Sequence, residues 1–398
     1  MIKYLGSKRV LVPLIQALVS ALPVRRACDL FAGTTRVGQG LRRLGVQVHS
    51  NDLATYSAAL GQAYIVADDA VDRQRLAEIL GELSALEGHE GYVSDVFCRR
   101  ARYFQPHNGR RIDAIRDAID GYGLPELERG ILLTSLLEAA DRVDSTTGLQ
   151  MAYLKQWAAR SHKPLELRLP EAVPGPRGSV TREDANALAP ELDVDLVYID
   201  PPYNQHSFFA NYHVWETLVR WDDPEPYGVA HKRLDCRDRK SVYNSRRGAP
   251  AAFAELISRL EAPWLIISAS DEGFHRASDL QALLERRGAV VRLDIDSRRY
   301  VGAQIGIFSP AGEKVGRVSH LRNCEHLFLA GPDEKLLGEA VEVALQAACG
   351  ADGTSASTLP VMAAAMTSGS TGLEPASSTL EVSRAAPTAT AIQSLPRR

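Results

Sequence analysis

The apolar positions along the chain change period several times, and each change marks an element. Val10, Leu11, Leu14, Ile15, Leu18, Val19 and Leu22 recur at three- and four-residue spacing, which predicts an amphipathic first helix. Arg26–Phe31, "RACDLF", reads as a short strand, and the glycine-rich turn "AGTTRVGQG" leads from it into a helix, "VGQGLRRLG". "VQVHSND" reads as a second strand ending in Asp52. A strand–loop–helix–strand unit with an acid after its second strand opens a doubly wound, Rossmann-like α/β sheet. From about Ala67 to Pro164 the period is helical throughout, in "AVDRQRLAEILGEL", "RRIDAIRDAI" and "ELERGILLTSLLEAADRV". Strand-like segments then resume with "LELRL", "SVTRED", "VDLVYI", "APWLIISAS" and "AVVRLDI", with a helix "SDLQALLERRG" between the last two. The segment from Arg299 to Gly331 reads as a closing hairpin that turns at Pro310–Glu313. Beyond Cys349 the chain is rich in Ala, Ser, Thr, Gly and Pro, a composition that buries too little surface to offset the entropy of ordering, so 350–398 is expected to be disordered.

Composition changes this picture little. The 398 residues are 45% hydrophobic and 24% charged, with a net charge of -3, which is ordinary for a soluble globular protein and does not mark the whole molecule as a polyanion binder. The five cysteines are scattered without a C-x-x-C pair, which argues against a disulfide framework or a zinc site and fits a reducing cytoplasm. The first apolar run is broken by Pro13, Gln16 and Ser20, and Arg25 and Arg26 fall where a signal peptide would need small residues. No stretch is long and apolar enough to predict a membrane span.

The chemistry gathers at "YIDPPYNQHSF". Pro201 and Pro202 cannot donate to a strand ladder, so they end the strand and hold Asp200 and Tyr203 in a stiff turn at its carboxyl end. In open α/β sheets that edge is where ligands bind. The earlier glycine turn, with Gly33, Gly38 and Gly40, lacks the G-x-G-x-x-G spacing of a dinucleotide site, which suits a cofactor without a pyrophosphate and disfavours an oxidoreductase. Asp52 is placed to accept hydrogen bonds from a ribose diol, or else to cap the following helix.

Taken together, "IKYLGSKRVL", "DLFAGTTRVG", "SNDLATYSAAL", the helical segments and "YIDPPYNQHSFFANYHVWETL" resemble the Dam-type (D12 class) adenine-specific DNA methyltransferases over nearly all of residues 1–330. The resemblance implies a doubly wound, Rossmann-like methyltransferase sheet with a helical insertion, S-adenosylmethionine as cofactor and no metal. It also implies double-stranded DNA as partner and methyl transfer to the N6 amine of adenine, in a restriction–modification setting with a cognate endonuclease or in a solitary epigenetic one. By the same resemblance Tyr4, Lys8, Phe31, Gly33, Asp52, Asp184 and Asp200 bind the cofactor, and Asp200, Pro201, Pro202 and Tyr203 form the catalytic turn. Asp184 serves equally well as a helix cap. The expected units are a catalytic domain over 1–66 and 165–340 and a helical insertion over 67–164 that helps to recognise the target. Thr34 and Thr35 stand where the family often has glycine or serine, and "SASDEG" stands in place of its Ser-Tyr-Asn. Asp200 favours adenine over an N4-cytosine enzyme, which usually has Ser there, and over protein glutamine methyltransferases, which usually have Asn. An intact Asp-Pro-Pro-Tyr argues against an inactive DNA-binding relative. Two basic stretches, Cys98–Arg111 and His231–Gly248, are candidates for phosphate contact.

Overall fold

The computed structural model describes residues 2–298, 322–349, 361–367 and 378–380. Among the described residues nine strands form one sheet in the order β11-β10-β8-β9-β7-β4-β1-β2-β3. They are β1 (Arg26–Asp29), β2 (Gln47–Asn51), β3 (Ser179–Thr181), β4 (Leu196–Ile199), β7 (Trp264–Ser270), β8 (Ala289–Arg298), β9 (Arg322–Gly331), β10 (Val361–Thr367) and β11 (Ser378–Leu380). A separate two-stranded ribbon pairs β5 (Pro226–Tyr227) with β6 (Lys232–Arg233). Strands β3, β2, β1, β4 and β7 run parallel, while β9 enters antiparallel between β7 and β8. From β1 the chain builds outward through β2 and β3, then returns to place β4 on the other side of β1. That reversal opens a crevice at the carboxyl ends of β1 and β4, the usual ligand position in such sheets.

Helices cover both faces. On one, α1 (Val12–Ser20), α2 (Arg36–Arg43) and α12 (Glu334–Cys349) bury Leu14, Ile15, Leu18, Leu41, Leu337 and Ala344 against the sheet. Of the helical period read from Val10 to Leu22, Leu14, Ile15, Leu18 and Val19 form the buried face of α1, whereas Val10 lies in the turn before the helix and is 64% exposed. On the other, α7 (Ala185–Leu188), α10 (Ala249–Arg259) and α11 (Ala277–Leu284) pack Leu188, Phe253, Leu256, Leu280 and Leu284 against Val197, Ile199 and Leu265. Gly40 lies on the packed face of α2, where a Cβ would come within 2.7 Å of Val12 Cγ1, so that glycine serves close packing of α2 on α1.

Between β2 and β3 the structure is helical. Helices α3 (Thr55–Gly61), α4 (Arg73–Ala85), α5 (Pro106–Gly121) and α6 (Glu126–Val143) share a core with α9 (His213–Arg220). "LELRL" is not a strand. Leu165 N–H donates to Asn108 Oδ1 of α5 at 2.9 Å and Arg168 N–H to Ser135 Oγ of α6 at 3.2 Å, so helix side chains satisfy groups a sheet partner would otherwise take. Its alternation is real, but the leucines face the helical core.

Strands β8 and β9 pair in continuous register from Ala289 opposite Gly331 to Arg298 opposite Arg322, and the turn expected at Pro310–Glu313 lies outside the described residues. Two pieces of the region expected to be disordered are instead strands: β10 pairs antiparallel with β8, and β11 with β10. The apolar run "VMAAAMT" supplies β10, a local exception to the small and polar composition around it. No described helix is long and apolar enough to cross a membrane.

Candidate active site

All four residues of β4, "LVYI", are buried, and the chain leaves the sheet at Asp200. The turn that follows is braced from two directions. Asn244 Nδ2 donates to Asn204 O at 2.8 Å and to His206 O at 3.0 Å, and Phe274 N–H donates to Tyr203 O at 2.9 Å. The second brace comes from the segment after β7, where Gly273 closes a turn onto Ser270 O at 2.9 Å. "SASDEG", the departure from the family pattern, therefore packs against the backbone of Tyr203.

Asp200 is 18% exposed and sits 3.2 Å from Lys8 Nζ, which the short helical turn Lys8–Val10 presents. Burial pushes the Asp200 carboxyl up to about 6; Lys8 opposes the shift and Glu325 adds to it. Glu325, on β9, lies 3.6 Å from the same Nζ. Burial disfavours the Lys8 ammonium, but the two carboxylates outweigh it and raise its pKa well above the usual lysine value. Lys8 is thus a fixed cation beside the turn.

Asp52 follows β2 and works on both neighbouring segments. Its Oδ2 accepts from Gly33 N–H at 2.8 Å and its Oδ1 from Ala54 N–H at 2.9 Å, which ties the glycine turn to the start of α3. Each oxygen has a second lone pair for a ligand hydroxyl, so capping and diol binding are compatible. Gly33 has φ +51°, and a Cβ there would stand 3.0 Å from the Tyr4 ring; both conformation and space select glycine. Thr35, fully buried at φ 57°, is a β-branched residue in the left-handed region, so the turn carries strain beside the cleft. Tyr4 is held in a stack with Tyr212, centroids 4.4 Å apart, and its hydroxyl meets that of Tyr56 at 3.1 Å. Phe31 meets the edge of Tyr243 at 5.3 Å. Asp184 caps α7, accepting from Asn186 N–H at 3.0 Å and Ala187 N–H at 3.2 Å.

These residues converge on one cleft of about 330 Å³. Its wall includes Tyr4, Lys8, Phe31, Gly33, Asp52 and Asp184 together with Asp200, Pro201, Pro202 and Tyr203, every site residue expected from the sequence. The volume suits a nucleoside-sized ligand. Asp200 Oδ1 is buried beside the ammonium without an aligned hydrogen-bond donor, so the exposed part of the carboxylate that lines the cleft is its other oxygen.

Several groups escaped the sequence reading. Asp29, at the end of β1, lines the cleft and accepts from Gly38 N–H at 2.9 Å; burial, against that hydrogen bond, raises its carboxyl to about 7. An acid inside an apolar strand was the available signal. Glu216, fully buried on α9, accepts from Thr55 N–H at 2.9 Å and from Arg239 at 3.3 Å. Arg239 also lies 4.1 Å from the centre of the Phe209 ring and lines the cleft, so it belongs to the site wall and not to a free phosphate-binding surface. Arg233, in the same basic stretch, is buried in a two-pronged pair with Asp222 at 2.6 and 2.7 Å. In the other basic stretch Arg99 and Arg110 pair with Glu90 at 3.3 and 3.4 Å. His213 is buried against Gln150 O at 2.8 Å, and burial lowers it to about 3; it is a neutral packing group. Cys28, Cys98, Cys236 and Cys324 are free thiols.

The D12 class N6 adenine-specific DNA methyltransferase family model matches residues 4–258. The type II methyltransferase M.NlaIII of Neisseria lactamica is 31% identical over 311 residues, 75% of this chain and 92% of that protein. The modification methylase StsI of Streptococcus sanguinis is 31% identical over 301 residues, 71% of this chain, and the type II methyltransferase M.FokI of Planomicrobium okeanokoites is 32% identical over 307 residues, 72% of this chain. The match spans 46% and 47% of these last two proteins, about half their length. The turn at Asp200, the glycine loop at Gly33 and the acid at Asp52 all lie within the matched segment, and the chain belongs to the D12 class of N6 adenine-specific DNA methyltransferases.

Proposed function

We propose that this cleft binds S-adenosylmethionine and an adenine flipped out of double-stranded DNA, and that it methylates the N6 amine at a specific sequence. The observation that carries the reading is the convergence of Asp200 and Tyr203 with Gly33 and Asp52 on one wall. The bound cofactor supplies a methyl group already activated by its sulfonium. The residues present fit it: a glycine turn without room for a Cβ, an acid with spare acceptor sites beside it, and flanking rings at Tyr4 and Phe31.

Adenine's exocyclic amine is a poor nucleophile because its lone pair is drawn into the ring. The Asp200 carboxylate and the Pro201 carbonyl accept its two hydrogens, which favours a pyramidal nitrogen with the lone pair turned to the methyl. The carboxylate also stabilises the positive charge that develops. Braces from Asn244 and Phe274 hold the turn, so alignment of amine and methyl is built in before the base arrives. A target base in a duplex has to leave the stack, and the Tyr203 face receives it. Burial, partly offset by Lys8, raises the Tyr203 hydroxyl to about 12, so the side chain stays neutral.

Asp52→Ala should weaken cofactor binding about tenfold or more, the scale of a lost hydrogen bond to a charged group. Calorimetry with S-adenosylmethionine checks this; unchanged affinity would leave the carboxylate only its work on Gly33 and Ala54. The exposed cations of the loop after the ribbon are Arg237, Lys240, Arg246 and Arg247. Replacing Arg246 and Arg247 together should weaken duplex binding and reduce the slope of log affinity against log salt by up to about two, since each phosphate contact contributes close to one. An unmoved slope would make these residues an ordinary solvated face.

Residues 67–164 are the proposed target-recognition unit. The setting is cytoplasmic, in a solitary system or beside a cognate restriction endonuclease. A direct test is incubation of the protein with duplex DNA and methyl-labelled cofactor, followed by digestion to nucleosides. Label in N6-methyl-2′-deoxyadenosine is the expected result. Label in N4-methyl-2′-deoxycytidine would favour a cytosine enzyme, and cofactor binding without label would favour an inactive relative.

A further inference from the structure

Asp200 has to accept hydrogen bonds from an incoming amine, yet the Lys8 ammonium already stands 3.2 Å from its Oδ1. Both groups are largely buried, with Lys8 only 8% exposed. A buried ammonium and carboxylate left to each other close into a strong charge-assisted hydrogen bond. If Asp200 were Lys8's only partner, that bond would draw on the acceptor strength the amine needs.

Glu325 supplies a second partner. It lies on β9, opposite Ser270 of β7 and Ile295 of β8, and it is not part of the cleft wall. Its Oε2 is 3.6 Å from Lys8 Nζ. Neither Asp200 Oδ1 nor Glu325 Oε2 has an aligned hydrogen-bond donor, although both are buried. The ammonium is therefore held between two carboxylates without being locked to either. The next residue on β9, His326, faces the other side of the sheet and pairs with Asp294 at 2.7 Å, so it does not compete for Lys8.

We infer that Glu325 is a positioning residue that shares the Lys8 ammonium and keeps it from closing onto Asp200, so that the Asp200 carboxylate retains its acceptor strength for the target amine. This rests on the reading of Asp200 as the acceptor for the adenine amine. No covalent bond changes and no proton moves, since Lys8 stays an ammonium throughout. The other titratable groups coupled to the pair are Tyr4, Tyr198 and Tyr203, whose hydroxyls are pushed up chiefly by burial and stay neutral, and Asp29 at the end of β1.

The test is a comparison of wild type, Glu325→Gln and Glu325→Asp in duplex methylation across pH. Glu325→Gln commits Lys8 to Asp200, so kcat/KM for DNA at pH 8 should fall about 10- to 100-fold, the scale of competition with a charged hydrogen bond. The free enzyme's ionisation sets the acidic limb of kcat/KM. Glu325 contributes to the raised Asp200 carboxyl, so its removal should also move that limb to lower pH. Cofactor affinity by calorimetry should stay within about twofold, because Glu325 is outside the cleft wall. Glu325→Asp keeps the charge at greater distance, should fall between the two on both measures, and carries the same test should the glutamine variant not fold. Variants that keep the parental rate, or that lose rate with the limb unmoved, overturn the inference while wild-type adenine methylation stands. Wild-type protein that methylates no adenine overturns the inference and the functional reading together.

Discussion

Asp200→Ala should reduce methyl transfer to DNA by at least about a thousandfold while the protein stays folded. The loss has two sources. One acceptor for the amine disappears, and with it the negative charge that stabilises the developing cation; groups of this kind are worth about 10²–10³ each by single deletion. Loss of the fixed geometry adds to that. The fold should survive because Asp200 lies past the end of β4 and Lys8 retains Glu325 as counter-ion. A variant that transfers labelled methyl at near the parental rate would rule out the role. The wild-type enzyme should show the matching pH dependence. Burial raises the Asp200 carboxyl to about 6, so the charged, active form predominates above that value and kcat/KM should fall as pH drops through it.

Tyr203→Ala should slow methylation about tenfold to a hundredfold, and Tyr203→Phe should retain most activity. Stacking of a base on an aromatic ring is worth roughly 1–3 kcal/mol and does not require the hydroxyl. The structure favours Tyr203 over Tyr4 as the platform, because Tyr4 is already stacked on Tyr212 and Phe208, with centroids 4.4 and 5.5 Å away. Tyr203 is half-buried and borders both the main cleft and a small gap beside Phe253 and Gly273. Its backbone carbonyl keeps the Phe274 N–H in either variant. If the ring were instead a core element, the alanine variant would lose several kcal/mol of stability, as aromatic-to-alanine core changes do. Melting temperatures and rates of both variants separate the two. A stability loss large enough to explain the rate loss would sink the stacking role.

The parts of the site legible in the sequence are those whose signal is local. Pro201 and Pro202 announce the end of a strand, Gly33 a turn that needs positive φ, and Asp52 an acid at a strand end. Each can be read from a handful of neighbours. Glu325 and Glu216 were not legible, because antiparallel insertion of β9 and the packing of α9 on α3 bring them in from far along the chain. Arg239 misled for the same reason: in sequence it is one of several basic residues, and only the fold shows it tied to Glu216 and lying over Phe209. "LELRL" misled in the opposite direction. Its alternation fits a strand, but its N–H groups at Leu165 and Arg168 meet Asn108 and Ser135 of two helices, and no described strand pairs with it. "VMAAAMT" was hidden by averaging composition over a longer polar region.

The central claim is that Asp200 and its turn direct a methyl group to the N6 amine of adenine in DNA. Its most direct test is modification-sensitive long-read sequencing of genomic DNA from cells that express the wild-type chain, set against cells that express Asp200→Ala. The account predicts N6-methyladenine in one recurring sequence context with the wild type and its absence with the variant. N4-methylcytosine in that context, or N6-methyladenine that persists with Asp200→Ala, would contradict it.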